Sequence, residues 1–208
     1  KTNKGLDTLS ELVYNLPEET VIAMERRQQD CPTPLLVKGT LRSYQTLGVA
    51  FAYYAQSVLI GDSVGLGKTH ISAGLINLLR TERAASGQPT RVLFLTDRNA
   101  VVQNSRELMK TTGLFFTTST GTQKDVGDLL DYPPSSLVAS HSIIKSYAFQ
   151  DWLLDYERKH HTNMFDLIII DEGSVVAGSS TTQYYKMGME IFKSCSRKVL
   201  LNATPFES

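Results

Sequence analysis

Residues 57–76 read Ser-Val-Leu-Ile-Gly-Asp-Ser-Val-Gly-Leu-Gly-Lys-Thr-His-Ile-Ser-Ala-Gly-Leu-Ile. An apolar strand-like run, Val58 to Ile60, enters a glycine-rich turn that ends in Gly67-Lys68-Thr69 and continues as the helical pattern Ile71, Leu75, Leu78, Leu79. Strand, turn and helix in that order suit an anion. Gly65 and Gly67 let backbone N–H groups approach phosphate oxygens with no Cβ in the way, and the first helical turn adds its unpaired N–H groups and positive dipole end. Lys68 would reach the β/γ-phosphates as a point charge, and the Thr69 hydroxyl would ligate a bridging Mg²⁺. Leu66 and His70 complete the stretch assigned to the nucleotide. The spacing departs from the strict G-x-x-x-x-G-K-[ST] pattern, because Asp62 stands where the first glycine belongs and the glycine is one earlier, at Gly61. The bland alternative is a plain connection with Lys68 solvated; the strand before it and the helix after it favour phosphate binding.

Outward from this stretch the pattern repeats. Apolar strand candidates stand at Val92 to Thr96, Leu114 to Thr118, Leu137 to Ser140, Leu167 to Ile170 and Val199 to Leu201. Helical segments near 69–85, 100–111, 141–159 and 182–194 alternate with them. The βα alternation implies an α/β fold with a mostly parallel sheet covered on both faces and ligands at the carboxyl ends of its strands. Ser86 to Pro89, Gly121 to Pro134 and Arg158 to Asn163 read as surface connections. Upstream, Leu6, Leu9, Leu12, Val13 and Leu16 fall at helical spacing, and Pro17 opens a second helix to about Gln29. Pro32-Thr33-Pro34 breaks the pattern, so residues 1–34 form a short helical N-terminal segment and 35–208 the main domain, beginning with an extended Leu35 to Lys38.

Composition limits the partners. The chain has 208 residues, with Lys+Arg and Asp+Glu both 21, so any nucleic-acid surface must come from local charge placement. Its two cysteines, Cys31 and Cys195, stand far apart with no zinc spacing, and His160-His161 lacks further ligands nearby; no structural metal is expected. No apolar stretch approaches the ~18 residues needed to cross a bilayer, and no secretory signal opens the chain. An intracellular location is expected, cytoplasmic in a prokaryote or phage host and nuclear in a eukaryote. The chain begins at Lys1 and reads as a piece of something longer.

Phe165 to Glu172 is an apolar strand ending in two carboxylates, Asp171-Glu172. With a phosphate loop upstream, the first suits Mg²⁺ and the second suits the attacking water. Here a resemblance emerges. Gly61 to Thr69 looks like the phosphate loop of Swi/Snf-type superfamily 2 DNA translocases, in which an acidic residue commonly occupies the position of Asp62. Leu41-Arg42 with Tyr44-Gln45 resembles the adenine-recognition motif, Asp171-Glu172-Gly173-Ser174 the Asp-Glu-x-His box, and Leu201 to Pro205 the third motif. Val92 to Asn99 is similar to the next motif of type I restriction motor subunits, which share its Asp-Arg. Leu137 to His141 resembles the following DNA-contacting motif.

The resemblance implies a RecA-like P-loop three-layer fold, and ATP with Mg²⁺ held by Thr69 and Asp171. Lys68 and Glu172 would be catalytic, with Arg42 and Gln45 at the base; the Gln45 amide could grip the N6/N7 edge of adenine. Thr96, Arg98, Ser140 and His141 would contact nucleic-acid phosphates, although each alone could equally be a cap or a solvated group. Ser174 replaces the usual histidine and Asn202 the usual threonine or serine, at positions that, with Thr204, link hydrolysis to motion. The chain stops just after the third motif, so the second RecA-like lobe, with its arginine finger, is expected in cis beyond it. The expected function is the ATP-binding lobe of a DNA-dependent ATPase that translocates on double-stranded DNA. Alternatives are the motor lobe of a restriction or phage-defence enzyme, or a nucleotide-binding regulatory module without motor activity. The resemblance also implies that the Val199 to Leu201 strand lies between those at Val58 to Ile60 and Leu167 to Ile170.

Overall fold

A computed structural model describes residues 26, 31–32, 35–61, 67–173, 183–193 and 195–202. In chain order its elements are α1 (Ser43–Ala55), β1 (Ser57–Ile60), α2 (Lys68–Ala84), β2 (Val92–Thr96), α3 (Val101–Thr112), β3 (Thr117–Ser119), α4 (Gln123–Asp131), β4 (Leu137–Ser140), α5 (Tyr147–His160), β5 (Leu167–Asp171), α6 (Gln183–Lys193) and β6 (Lys198–Leu201). The strands form one six-stranded sheet ordered β1-β6-β5-β2-β4-β3, and every adjacent pair is parallel.

Alternation along each strand separates two cores. Val92, Phe94, Leu167, Ile169, Val199 and Leu201 pack with the apolar faces of α1, α2 and α3. Leu93, Leu95, Ile168 and Ile170, one residue out of phase, pack with α4, α5 and α6. Because both faces are covered, β2 and β4 are apolar and buried almost throughout. The edges are short: β3 is only Thr-Thr-Ser, and β1 leaves Leu59 48% exposed. Sheet and helices make the three-layer α/β fold expected of the sequence.

β6 lies between β1 and β5, as expected. Lys198 N–H donates to the Gln56 carbonyl at 2.7 Å where the pair with β1 starts, and Asn202 N–H donates to the Ile60 carbonyl at 3.0 Å where it ends.

Local boundaries differ in several places, among them the expected connection Arg158 to Asn163, whose first three residues are the last turn of α5. β3 occupies 117–119 and not Leu114 to Thr118, because Gly113 ends α3 in a left-handed turn at φ 68° and the chain reaches the sheet only after Phe116. The expected connection Gly121 to Pro134 contains α4, whose N-cap Thr122 accepts from Asp125 N–H and whose Val126 and Leu129 are buried. The expected helix 141–159 is a 3₁₀ turn, His141–Lys145, followed by α5; Ser146 in extended conformation separates them and its Oγ caps Phe149 N–H. Leu35 to Lys38 forms no strand: Asn77 Nδ2 donates to the Leu35 carbonyl at 2.6 Å and Val37 N–H to the Thr111 carbonyl at 2.8 Å, laying this run across α2 and α3. The expected helices at 6–16 and 17–29 lie outside the described residues, except that Arg26 is helical. Among the described residues no helix is long and apolar enough to cross a membrane.

Candidate active site

The carboxyl end of β1 leads through Gly61 to Gly67; Gly65 and Leu66 lie outside the described residues. Gly67 is the N-cap of α2 in the left-handed region, φ 78° and ψ 43°, and its carbonyl accepts from His70 N–H at 2.9 Å and Ile71 N–H at 3.3 Å. Only glycine suits it: a Cβ there would lie 2.5 Å from Gln45 Nε2. Lys68, Thr69 and His70 follow as the first turn, partly exposed and with no acidic residue among them to oppose an anion. His70 Nε2 stands 3.8 Å from Glu107 Oε1, which ties this turn to α3.

Gln45 braces the loop from the other side. It is 5% exposed, in the first turn of α1, and its Oε1 accepts from Arg42 N–H at 2.9 Å while its Nε2 donates to the Gly67 carbonyl at 3.5 Å. The expected base reader is thus joined to the glycine that opens the phosphate-loop helix. Arg42 is exposed as the N-cap residue.

Two strands away, β5 ends in Asp171, half-buried and paired with Leu201 of β6. Its Oδ2 accepts from Thr96 Oγ1 at 3.3 Å, and Asn104 Nδ2 donates to that same hydroxyl at 2.9 Å. His141 Nε2 lies 2.7 Å from the Asp171 backbone carbonyl. Glu172 then turns outward, exposed and at φ 56°, a left-handed conformation uncommon for a residue with a side chain. Gly173 follows, buried, where a Cβ would meet Leu200 Cδ2 at 3.2 Å. Burial holds the His141 pKa below its ordinary value, against the pull of its bond to the Asp171 carbonyl and of the charges on Asp171, Asp97 and Glu172. The imidazole is therefore neutral at pH 7, and the tautomer with a proton on Nε2 is the one that can donate to the carbonyl.

The four residues expected to touch nucleic acid separate. Thr96, Ser140 and His141 are buried, at 1%, 4% and 5% exposure, with protein partners; Ser140 Oγ caps the turn by accepting from Ser142 N–H at 3.3 Å. Only Arg98 is exposed, at the start of the 3₁₀ turn after β2. Asn202 is buried beside Ile60, and Ser174 and Thr204 lie outside the described residues. Asn104, which steadies Thr96, was not singled out by sequence: an amide one turn into an amphipathic helix carries no motif.

The residues fit a nucleoside triphosphate with Mg²⁺. The helix start has no side-chain cap and no acidic residue in its first turn, which suits phosphate, and the half-buried Asp171 carboxylate has the chemistry of a hard oxygen ligand. Among the described residues no group of three or more His, Cys, Asp or Glu could hold a metal ion by itself.

A family model described as "Type III restriction enzyme, res subunit" matches residues 36–207. No curated protein matches the chain significantly. Among solved structures, the Sulfolobus solfataricus SWI2/SNF2 ATPase core, in complex with dsDNA, has a TM-score of 0.63 at 19% identity, over 86% of this chain and 35% of its own. The Pyrococcus furiosus Hef helicase domain has a TM-score of 0.57 at 18% identity, over 81% of this chain and 34% of its own. The chain spans about a third of the length of these two structures, and what it shares with them is the fold of a first RecA-like lobe.

Proposed function

Because the chain belongs to the family described as type III restriction enzyme, res subunit, a helicase-like group with an ATP-binding lobe, we propose that it is the ATP-binding lobe of a DNA-dependent ATPase that translocates on double-stranded DNA. In this proposal residues 35–208 make the lobe, preceded by the segment 1–34, and a second RecA-like lobe belongs to the complete motor. One observation carries the reading: β6 lies between β1 and β5, so the Gly67-Lys68-Thr69 turn and the Asp171-Glu172 turn flank one strand at the same end of the sheet.

In this reading Lys68 and the N–H groups of the first α2 turn bind the β- and γ-phosphates of ATP, and Arg42 and Gln45 meet the base. Thr69 and Asp171 would hold Mg²⁺, which when bound neutralises phosphate charge. Glu172 orients a water and takes its proton as the water oxygen bonds to the γ-phosphorus and the bond to the bridging oxygen breaks, leaving ADP and phosphate. Exposed Arg98 is placed to contact a DNA phosphate. The family match also favours a second reading, the motor lobe of a restriction or defence enzyme. Retained Lys68, Asp171 and Glu172 argue against a regulatory module that hydrolyses nothing.

The test is steady-state ATP turnover of the full-length protein with and without duplex DNA, beside its Lys68→Ala variant, with displacement of a third strand from triplex DNA as the readout of movement. Turnover stimulated by duplex and lost in Lys68→Ala is expected. Turnover indifferent to DNA would reject the motor.

A further inference from the structure

His141 stands on the far side of β2 from the acidic turn. The sheet runs β5-β2-β4, so a side chain leaving the end of β4 must cross the end of β2 to touch β5, a span of roughly 10 Å between strand axes. It does so while 5% exposed, and it ends 2.7 Å from the Asp171 carbonyl oxygen. Beneath it the last residue of β2 reaches the same place, since Thr96 Oγ1 donates to Asp171 Oδ2 at 3.3 Å. Two strands thus grip one residue, one by its side chain and one by its main chain.

The main-chain grip matters to the next residue. A peptide unit is planar, so fixing the direction of the Asp171 carbonyl also fixes the direction of the Glu172 N–H and the plane from which the Glu172 backbone departs. Glu172 is held at φ 56°, a conformation that side-chain-bearing residues avoid and that persists only when neighbours impose it. Gly173, close against Leu200, continues the turn.

We propose that His141 is a positioning residue for Glu172: by donating from Nε2 to the Asp171 carbonyl it holds the peptide that aims the Glu172 carboxylate at the attacking water. The proposal rests on the ATPase reading of Glu172. It differs from a phosphate contact to DNA, which would need this buried ring turned out and its bond to the acidic turn given up.

The experiment uses the full-length protein with His141→Leu, which lacks the donor, His141→Gln, which keeps an N–H donor, and Glu172→Gln as benchmark. The measurements are ATP turnover at saturating duplex DNA, ATP KM, half-saturating DNA concentration and Tm. His141→Leu should lose about 10- to 100-fold in kcat, the scale of a misplaced catalytic group, with KM, half-saturating DNA and Tm little changed. His141→Gln should recover most of the loss. Wild-type kcat in His141→Leu overturns the proposal. So does a raised half-saturating DNA concentration at unchanged kcat, which would make His141 a DNA contact. Equal losses in both variants with a lowered Tm also overturn it, by reducing His141 to packing. Wild-type turnover in Glu172→Gln would instead reject the role of Glu172, and with it the premise.

Discussion

Lys68 is the first helical residue after a left-handed glycine, in a turn that contains no acidic residue. Lys68→Ala should abolish ATP·Mg²⁺ binding while the fold persists, since Lys68 is partly exposed and helix-favouring alanine replaces it; calorimetry showing wild-type affinity would remove the site. Gln45→Ala should lower preference for ATP over GTP, because an amide reading a base edge contributes about 1–3 kcal/mol, and unchanged preference would take Gln45 out of base recognition. The candidate motif residues were legible as candidates because their chemistry is local: Gly67, Lys68 and Asp171 stand out by type and spacing. What was not legible is which of them are spoken for. Thr96 and His141 look like cleft residues in sequence, yet contacts reaching across strands bury both. Cys195 is a further case of context overriding type. Its sulfur lies 3.3 and 3.2 Å from the Phe165 and Arg197 carbonyl oxygens, which share its one S–H, and burial pushes its pKa up to about 11. At pH 8 iodoacetamide should label the partly buried Cys31 well before Cys195; equal rates by mass spectrometry would contradict that arrangement.

Among the elements, the buried strands were the easiest to find from their apolar runs, and β2 and β4 have the expected bounds. α4 was hidden by Gly127, mid-helix, and by its few apolar residues. Its start nevertheless carries a signal, Thr122 followed three residues later by Asp125, whose Oδ2 accepts from Thr120 N–H at 2.7 Å and Thr120 Oγ1 at 2.6 Å. Thr122→Ala should cost about 1 kcal/mol of stability in urea unfolding, the usual loss of an N-cap side chain. The Thr120 hydroxyl bond holds the Asp125 pKa below its ordinary 3.8. A depressed folded-state pKa gives stability that is present above the unfolded value and lost as pH falls through the folded one. The Tm gap between wild type and Thr120→Val should therefore narrow below about pH 3.8; a gap constant down to pH 2 would show that the hydroxyl acts by packing alone.

At the scale of the molecule, the proposed motor needs charge on both sides of the transferred phosphate, and a lobe supplies one side. The 208-residue chain, expressed as it stands, should bind ATP weakly and barely hydrolyse it with or without duplex DNA, because an arginine finger contributes about 10³–10⁵ in rate in related phosphoryl transfer. Full DNA-stimulated turnover by this stretch alone would refute the two-lobe proposal. The position of β6 has a further effect, on manufacture. At roughly 5–20 residues per second of translation, roughly 7–28 s separate the synthesis of Ile60 from that of Leu201, and through that interval β1 has no neighbour in the sheet to pair with. β5, β2, β4 and β3 can assemble meanwhile, and α2 can dock on α3 through Asn77 and Arg80, which donate to the Thr111 and Thr112 carbonyls, but β1 joins the sheet only when four residues, Lys198–Leu201, slide in beside it. A ribosome-bound nascent chain stalled before Lys198 should therefore be cleaved readily by protease at β1 and bind no nucleotide, so the proposed nucleotide site would be completed in a single late event; protection of β1 in that stalled chain would contradict this.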